Sequence, residues 1–316
     1  MESKAHQVNC QCSHCGRFGG KVTGLLKSEN QNSMRRSTTF LQGRGTNIVL
    51  YNHPSRLSVR WVSKGQYTYE VEGQRYALKP GNFLVINNGQ NYNSEMQQNV
   101  ATESLTVSFN PSLPLMVLTG LSQKEEWLLD NPFSHLSTEI AFLVHLEPLE
   151  GSVAGITNAL IEGSRKDIEI EFFDHAFYCL AEQLLIKQKN IQREIRRIPS
   201  AKRSTREELY RRLRRARDFM HAHFAREELK IEMIAAEACL SPYHFLRSYK
   251  RAFNISPHQE LLELRLAQSQ QLLSSAHTNW SLGRIAAESG FNSLSSFSKA
   301  FRQRYGFAPS QHKVFS

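Results

Sequence analysis

One motif occurs twice between Lys230 and Pro309. Ile234-Ala-Ala-Glu237 returns as Ile285-Ala-Ala-Glu288, and the likeness continues past those four residues. Leu240-Ser241 aligns with Phe291-Asn292, and Phe253-Asn-Ile-Ser-Pro257 aligns with Tyr305-Gly-Phe-Ala-Pro309. The offset is 51 residues at the start and 52 at the end, so the second copy carries one extra residue between its matched blocks. Self-similarity at a fixed spacing is the signature of a repeated supersecondary unit. It constrains the fold more than any single segment does.

Each copy reads as helix, tight turn, helix. Ile234, Ala235 and Ala238 lay an apolar stripe on a short first helix, and alanine at the crossing lets a second helix come close. Cys239 or Gly290 stands at the turn, and glycine takes a left-handed conformation without strain. Ser241 and Asn292 are the expected N-caps, and Pro242 suits the first helical position. Phe245, Ser248, Tyr249 and Phe253 then recur at helical spacing, as do Phe297, Ala300, Phe301 and Tyr305. The six aromatics among them are assigned to packing. This is the helix-turn-helix pattern, whose second helix enters the major groove of DNA. Between the copies, Leu261, Leu262, Leu264, Leu266, Leu272 and Leu273 predict an amphipathic helix from about Pro257 to Leu273. Seventeen residues span roughly 25 Å. That length can hold two second helices about one DNA turn, roughly 34 Å, apart.

Residues from about 209 to 316 resemble the DNA-binding domain of the AraC/XylS family of bacterial transcription regulators. The resemblance rests on the Ile-Ala-Ala-Glu pair, Leu240-Ser241-Pro242, Arg265-Leu266 with Leu272-Leu273, and Ile285-Ala-Ala-Glu-Ser-Gly-Phe291 followed by Phe297-Ser-Lys-Ala-Phe301 and Pro309. It covers about a third of the chain and implies sequence-specific binding of double-stranded DNA. On the first second-helix, family positions matching Tyr243, Leu246 and Arg247 face bases. Arg247 can donate two bonds to guanine, and Leu246 can meet only a thymine methyl. Ser295, Ser296 and Lys299, beside Leu294, occupy the matching face of the second copy. These are short or apolar side chains around one lysine, so direct readout is expected to be weaker there. His244, Lys250, Arg251, Arg302 and Arg304 are the phosphate candidates.

The charge agrees. The formal net charge is +10, and it is unevenly placed. Residues 1–190 hold 17 Lys/Arg against 18 Asp/Glu, a net −1, whereas residues 191–316 hold 22 against 11, a net +11. A polyanionic partner for the second part follows. Arg193 to Arg217 alone supplies 11 basic against three acidic residues, so most of the excess sits at the junction. Residues 191–206 read as a basic, flexible linker. Thr205 with Glu208 reads as a capping box opening the first helix of a domain over 207–316.

The first part has a different character. Residues 1–33 read as a polar arm. Cys10, Cys12 and Cys15 stand there near His6 and His14, but Cys-x-Cys-x-x-Cys without a second knuckle is not a structural zinc pattern. The five cysteines have no regular spacing, so no disulfide framework is expected. Residues 34–190 read as one domain. Leu57–Val62, Tyr67–Val71, Tyr76–Leu78, Phe83–Ile86 and Leu105–Phe109 are short strands separated by Lys64-Gly65, Glu72-Gly73, Pro80-Gly81 and Asn87-Asn88-Gly89. Regularly spaced short strands suggest a sandwich or barrel. Here the chain resembles the cupin-like effector domain of many AraC-type regulators. Metal-dependent cupin enzymes need clustered histidines, and none stands between His53 and His135. The domain is therefore read as a sensor or dimerisation platform rather than an enzyme, with no cofactor and no metal.

Trp61, Tyr67, Tyr69 and Tyr92 are the effector-pocket candidates. The competing reading is that these aromatics pack the barrel or its outer face, since strand parity is uncertain by one residue. Helices are expected at Gln123–Leu129, Ser137–Val144, Ser152–Glu162 and Glu169–Lys189. In the last, Phe173, Phe177, Leu180 and Leu184 form a narrow apolar stripe that either meets a second copy or packs on its own barrel. The fold class read from the sequence is α+β in two domains: a cupin-like β-barrel with flanking helices, then an all-α domain with two helix-turn-helix units. The function is a transcription regulator, with activation the commoner outcome in the resembled family. Homodimerisation, a small-molecule effector and, for an activator, RNA polymerase are the further expected partners. No run of 18 apolar residues and no apolar leader stand in the sequence, so a cytoplasmic protein is expected. A thiol- or metal-responsive regulator and a cupin-fold enzyme with a DNA-binding tail are the alternatives.

Overall fold

The structure is a computed structural model that describes residues 21–25, 38–45, 48–96, 100–131, 140–166, 170–274 and 280–312. Cys10, Cys12 and Cys15 lie outside the described residues. The chain divides into two units, residues 1–190 and 191–316. No described helix is long and apolar enough to cross a membrane.

The first unit is built on two antiparallel sheets. Its strands are β1 (Lys21–Leu25), β2 (Thr39–Gly45), β3 (Val49–Pro54), β4 (Ser58–Lys64), β5 (Tyr67–Val71), β6 (Gln74–Leu78), β7 (Asn82–Ile86), β8 (Asn91–Met96), β9 (Thr102–Ser108) and β10 (Leu146–Pro148). One sheet runs β1-β2-β9-β4-β7-β10 and the other β3-β8-β5-β6. β5 and β6 form a hairpin in which Val71 faces Gln74. Glu72 and Gly73 fill the two-residue turn, both at positive φ, 51° and 75°, as that turn demands. β5 shows why the alternation works: Tyr67, Tyr69 and Val71 are buried, while Thr68 and Glu70 between them are not.

β4 is buried on both faces, because its sheet lies between two layers. Val59 and Trp61 join a core with Phe83, Leu105, Val107 and the helices. Val62 joins the core shared with the second sheet, among Tyr67, Tyr69, Val71, Leu84, Ile86 and Tyr92. β1 falls within the stretch read as a polar arm and pairs along its length with β2. That part of the arm reading is corrected: Lys21–Leu25 alternates too weakly to announce a strand, and its place comes from its neighbour.

The helices of this unit are α1 (Ser112–Ser122), α2 (Glu125–Asp130), α3 (Gly151–Arg165) and the start of α4 (Ile170–Arg196). The expected helix over Ser137–Val144 does not form in its described part. Residues 140–144 are irregular, and Asn87 holds them by two side-chain bonds to the Phe142 backbone, at 2.7 and 2.9 Å. Phe173, Phe177, Leu180 and Leu184 are buried in the core with Val59 and Trp61. The expectation that this stripe meets a second copy is therefore corrected: the chain's own sheet covers it, at roughly 1.5–3 kcal/mol per buried side chain.

The second unit is helical: α5 (Arg203–His223), α6 (Ile231–Glu237), α7 (Pro242–Phe253), α8 (Pro257–Ser274), α9 (Leu282–Glu288), α10 (Leu294–Tyr305) and α11 (Pro309–His312). α4 continues helically to Arg196, so the expected flexible linker shrinks to the residues between Arg196 and Arg203. Ile191, Ile195 and Ile198 are buried, the Tyr210 hydroxyl donates to Glu194 Oε2 at 2.6 Å, and an Arg197 nitrogen donates to the Ala252 carbonyl at 3.4 Å. The capping box at Thr205 is also corrected. α5 starts three residues earlier, with Lys202 at the cap and no side-chain cap bond.

Candidate nucleic-acid interface

Two helix pairs, α6–α7 and α9–α10, share one turn geometry. Cys239 and Gly290 occupy the same left-handed position, with φ of 51° and 83°. In the first pair Cys239 N donates to Ala236 O and Leu240 N to Ala235 O, at 2.9 and 3.1 Å. In the second, Gly290 N donates to Ala287 O and Phe291 N to Ala286 O, both at 2.9 Å. These paired bonds close a helix end on a left-handed residue. Glycine is obligatory only in the second turn: a Cβ on Gly290 would stand 2.6 Å from the Phe224 carbonyl oxygen and 2.9 Å from Arg265 Nε. Arg265 on α8 crosses there, donating from Nε to Phe224 O at 2.8 Å and from an Nη to Arg226 O at 2.9 Å.

The caps differ by the one extra residue in the second copy. Ser241 caps α7, accepting from His244 N. α10 is capped by Ser293, accepting from Ser296 N, so the expected cap at Asn292 is corrected by one position. The insertion moves the helix start, and Ser293 has the β-region backbone a cap needs.

α7 and α10 hold their aromatic stripes inward. Phe245, Tyr249, Phe297 and Phe301 are fully buried, and Phe253 and Tyr305 are half-buried. The opposite faces are open. Tyr243 is 75% exposed, His244, Arg247, Lys250 and Arg251 are exposed, and Leu246 is half-buried. On α10, Leu294, Ser295, Ser296, Lys299 and Arg302 are exposed. Two candidates are already engaged. The Ser296 hydroxyl bonds Ser293 O at 2.9 Å within the cap, and Arg304 Nε lies 2.9 and 3.0 Å from the two Glu263 oxygens on α8. Among the described residues Arg247, Lys250 and Arg251 on α7 and Lys299 and Arg302 on α10 form no ion pair.

Sequence reasoning missed what fixes the first pair in place. Glu260 on α8 is buried and receives Arg217 Nε at 2.6 Å and the Tyr249 hydroxyl at 2.8 Å, with His221 Nε2 at 2.7 Å. Burial alone would push its carboxyl up. The His221 bond, the Arg217 charge and bond, and the Tyr249 bond outweigh that and hold it at about 2. A glutamate inside an otherwise leucine-rich connector was the available signal.

In the first unit, Tyr67, Tyr69 and Tyr92 come together, with ring centroids 4.7 Å (Tyr67–Tyr69) and 5.8 Å (Tyr69–Tyr92) apart. Trp61 does not join them. It lies on the opposite face of β4, 6.1 Å from Phe40 between ring centroids, so its place in the expected pocket is corrected by strand parity. A cleft of about 420 Å³ opens elsewhere in this unit, lined among others by Leu57, Glu72, Asn87, Gln90, Phe109 and Ile140, and none of the four predicted residues lines it.

The geometry defines a class, a helical domain presenting two capped helices with open basic or polar faces, and comparison shows which proteins share that domain. Residues 234–313 match the profile of the helix-turn-helix domain. The regulatory protein PocR of Salmonella typhimurium is 31% identical over 101 residues, 32% of each chain. The probable transcriptional regulator LumQ of Photobacterium leiognathi is 34% identical over 89 residues, 28% of this chain and 35% of that one. The transcriptional regulator ArgR of Pseudomonas aeruginosa is 31% identical over 135 residues, 43% of this chain and 40% of that one. Among solved structures, the C-terminal domain of AraT, a response regulator from Geobacillus stearothermophilus, is 28% identical. It covers 33% of this chain and 85% of its own, with a TM-score of 0.31. Over this domain the chain is similar to proteins named as transcription regulators. The matched segments span about a third of the length of the curated relatives.

Proposed function

We propose that this protein is a sequence-specific DNA-binding transcription regulator, and that both helix pairs are helix-turn-helix units reading successive major-groove segments. The observation that carries the reading is the repeated turn and cap geometry with outward-facing Tyr243, Arg247 and Lys250 on α7. α7 reads bases through Tyr243, Leu246 and Arg247. α10 contributes Ser295 and Lys299 and reads more weakly. His244, Lys250, Arg251 and Arg302 meet phosphates.

The N-terminal unit, a cupin-like pair of sheets in this reading, serves as the effector-sensing or dimerising part and not as a catalyst. Support comes from its buried aromatic cluster and from the naming of the curated relatives as regulators. Activation, with RNA polymerase as partner, is the proposed outcome.

Affinity selection of sheared genomic DNA, followed by sequencing, tests the core of this. The full chain and a fragment of residues 191–316 are run side by side. A shared motif of roughly 20 base pairs is expected, matching two major-groove segments. Absence of enrichment by both samples at moderate salt overturns sequence-specific reading.

A further inference from the structure

The two sheets of the N-terminal unit share a core that contains a charge no described carboxylate answers. Leu41, Thr106, Arg60 and Leu84 stand in one row across β2, β9, β4 and β7. Leu84 belongs to the core shared with the four-stranded sheet, so this row faces that sheet. The row changes character along its length. Leu84 is fully buried, whereas Arg60, Thr106 and Leu41 are only half-buried, as are Ser104 and Ser108 on the same face of β9. The half-buried positions of the row lie on the β2–β9 side, where β9 offers the hydroxyls of Ser104, Thr106 and Ser108.

Arg60 stands at the border of these two regions. Its guanidinium carbon lies 4.2 Å from the Tyr92 ring centroid and 5.2 Å from that of Tyr69. Its Nε reaches Ser58 Oγ at 3.3 Å, and an Nη reaches Ser55 Oγ at 3.4 Å. Both are long bonds to neutral acceptors. Among the described residues no carboxylate pairs with it; burial works against its charge, and the Tyr92 and Tyr69 side chains, by their charge and by hydrogen bonds, outweigh that and hold its pKa above the ordinary value. Arg56, the neighbouring cation in sequence, is turned to the Phe109 carbonyl oxygen at 2.7 Å. An arginine kept between two sheets without a counter-ion weakens a fold. Its fork of donors matches a planar carboxylate.

We infer that Arg60 anchors the carboxylate of a small organic acid bound between the two sheets, with Tyr67, Tyr69 and Tyr92 as the wall against its apolar body. One cation matches one negative charge, which favours a monocarboxylate over a phosphate dianion. The assignment rests on the effector-sensing reading of this unit and names the class of effector.

The test uses the full chain with formate, acetate, hexanoate and benzoate, each beside its neutral amide, and inorganic phosphate as the contrasting anion. Thermal unfolding and titration calorimetry are read for the wild type, Arg60→Gln and Arg60→Met. At least one acid is expected to raise the unfolding midpoint while its amide does not. Both variants should bind that acid about tenfold more weakly or worse. Without ligand, their midpoints should equal or exceed the wild type, since an unbalanced charge has been removed. The assignment is overturned by a wild type that responds to no acid, or to acid and amide alike. It is equally overturned by phosphate binding in place of every acid, by variants that keep the affinity, or by variants that both unfold, which would make Arg60 a structural residue. DNA selection on the same samples separates this from the regulator reading. Variants that lose the acid yet still enrich the motif confirm that only the effector site was touched. A wild type that binds an acid but enriches no DNA sinks the regulator reading alone.

Discussion

At the scale of single residues, chemistry on α7 and geometry at Gly290 make separate predictions. Arg247 is exposed on the open face of α7 and carries the fork that suits guanine. Arg247→Ala is expected to cost about 1–3 kcal/mol of DNA affinity and to relax one base position. Repeating the affinity selection with the variant checks this, and an equal loss on all sequences would reassign Arg247 to a phosphate. Gly290 has a φ of 83° with the Phe224 carbonyl 2.6 Å from where a Cβ would sit. Gly290→Ala should destabilise the second unit by roughly 1–3 kcal/mol, read as a lower urea midpoint. Cys239, at the same place in the first turn, is non-glycine at φ 51°. The repeat shows both positions in the sequence, but only the packing shows that one tolerates a side chain and the other does not.

At the scale of elements, α8 does more than space the two pairs. Its leucines were legible as a helix, and Leu266 and Leu273 do enter the second core. Its first turns instead present Glu260 to α5 and α7, where Arg217, His221 and Tyr249 converge. The Glu260 carboxyl is held at about 2, below its ordinary value of 4.5. A carboxyl with a depressed folded pKa stabilises above its unfolded value and loses that contribution as pH falls. The window here runs from about 4.5 down to about 2, and the contribution at neutral pH is on the order of 3 kcal/mol. Urea unfolding of residues 191–316 across that window, followed by Trp280 fluorescence, should show a steep acid limb. Glu260→Gln should flatten the limb and lower the neutral midpoint. An unchanged limb would mean that other carboxylates carry the acid sensitivity.

At the scale of the whole molecule, the boundary between the two units falls within α4 rather than in a loop. The end of that helix brings Glu194 to Tyr210 and Arg197 to Ala252, and Ile191, Ile195 and Ile198 are buried. A fragment of residues 191–316 is therefore expected to be more stable than one beginning at Ser204, by about 3 kcal/mol or more from the lost isoleucines. Parallel thermal melts of the two fragments check this, and equal midpoints would show that the α4 end adds nothing to the second unit.

The sequence by itself determined the repeat, its turns, its buried aromatic stripes and the exposed face of α7. Each of these follows from local spacing: 3.6-residue periodicity, a left-handed turn position, a short polar cap. It also determined β5, whose alternation is complete over five residues. Tertiary structure decided everything that depends on which face meets which neighbour. Trp61 and Tyr69 are equally aromatic, yet strand parity sends one to the helices and the other between the sheets. The stripe on α4 fits a partner or its own sheet equally well by periodicity, and only packing assigns it to the sheet. Arg60 stands in a run of strand-forming residues, and only the folded arrangement shows that no described carboxylate answers it. Local spacing fixes an element and its two faces, but contacts between residues far apart in the chain fix what each face is for.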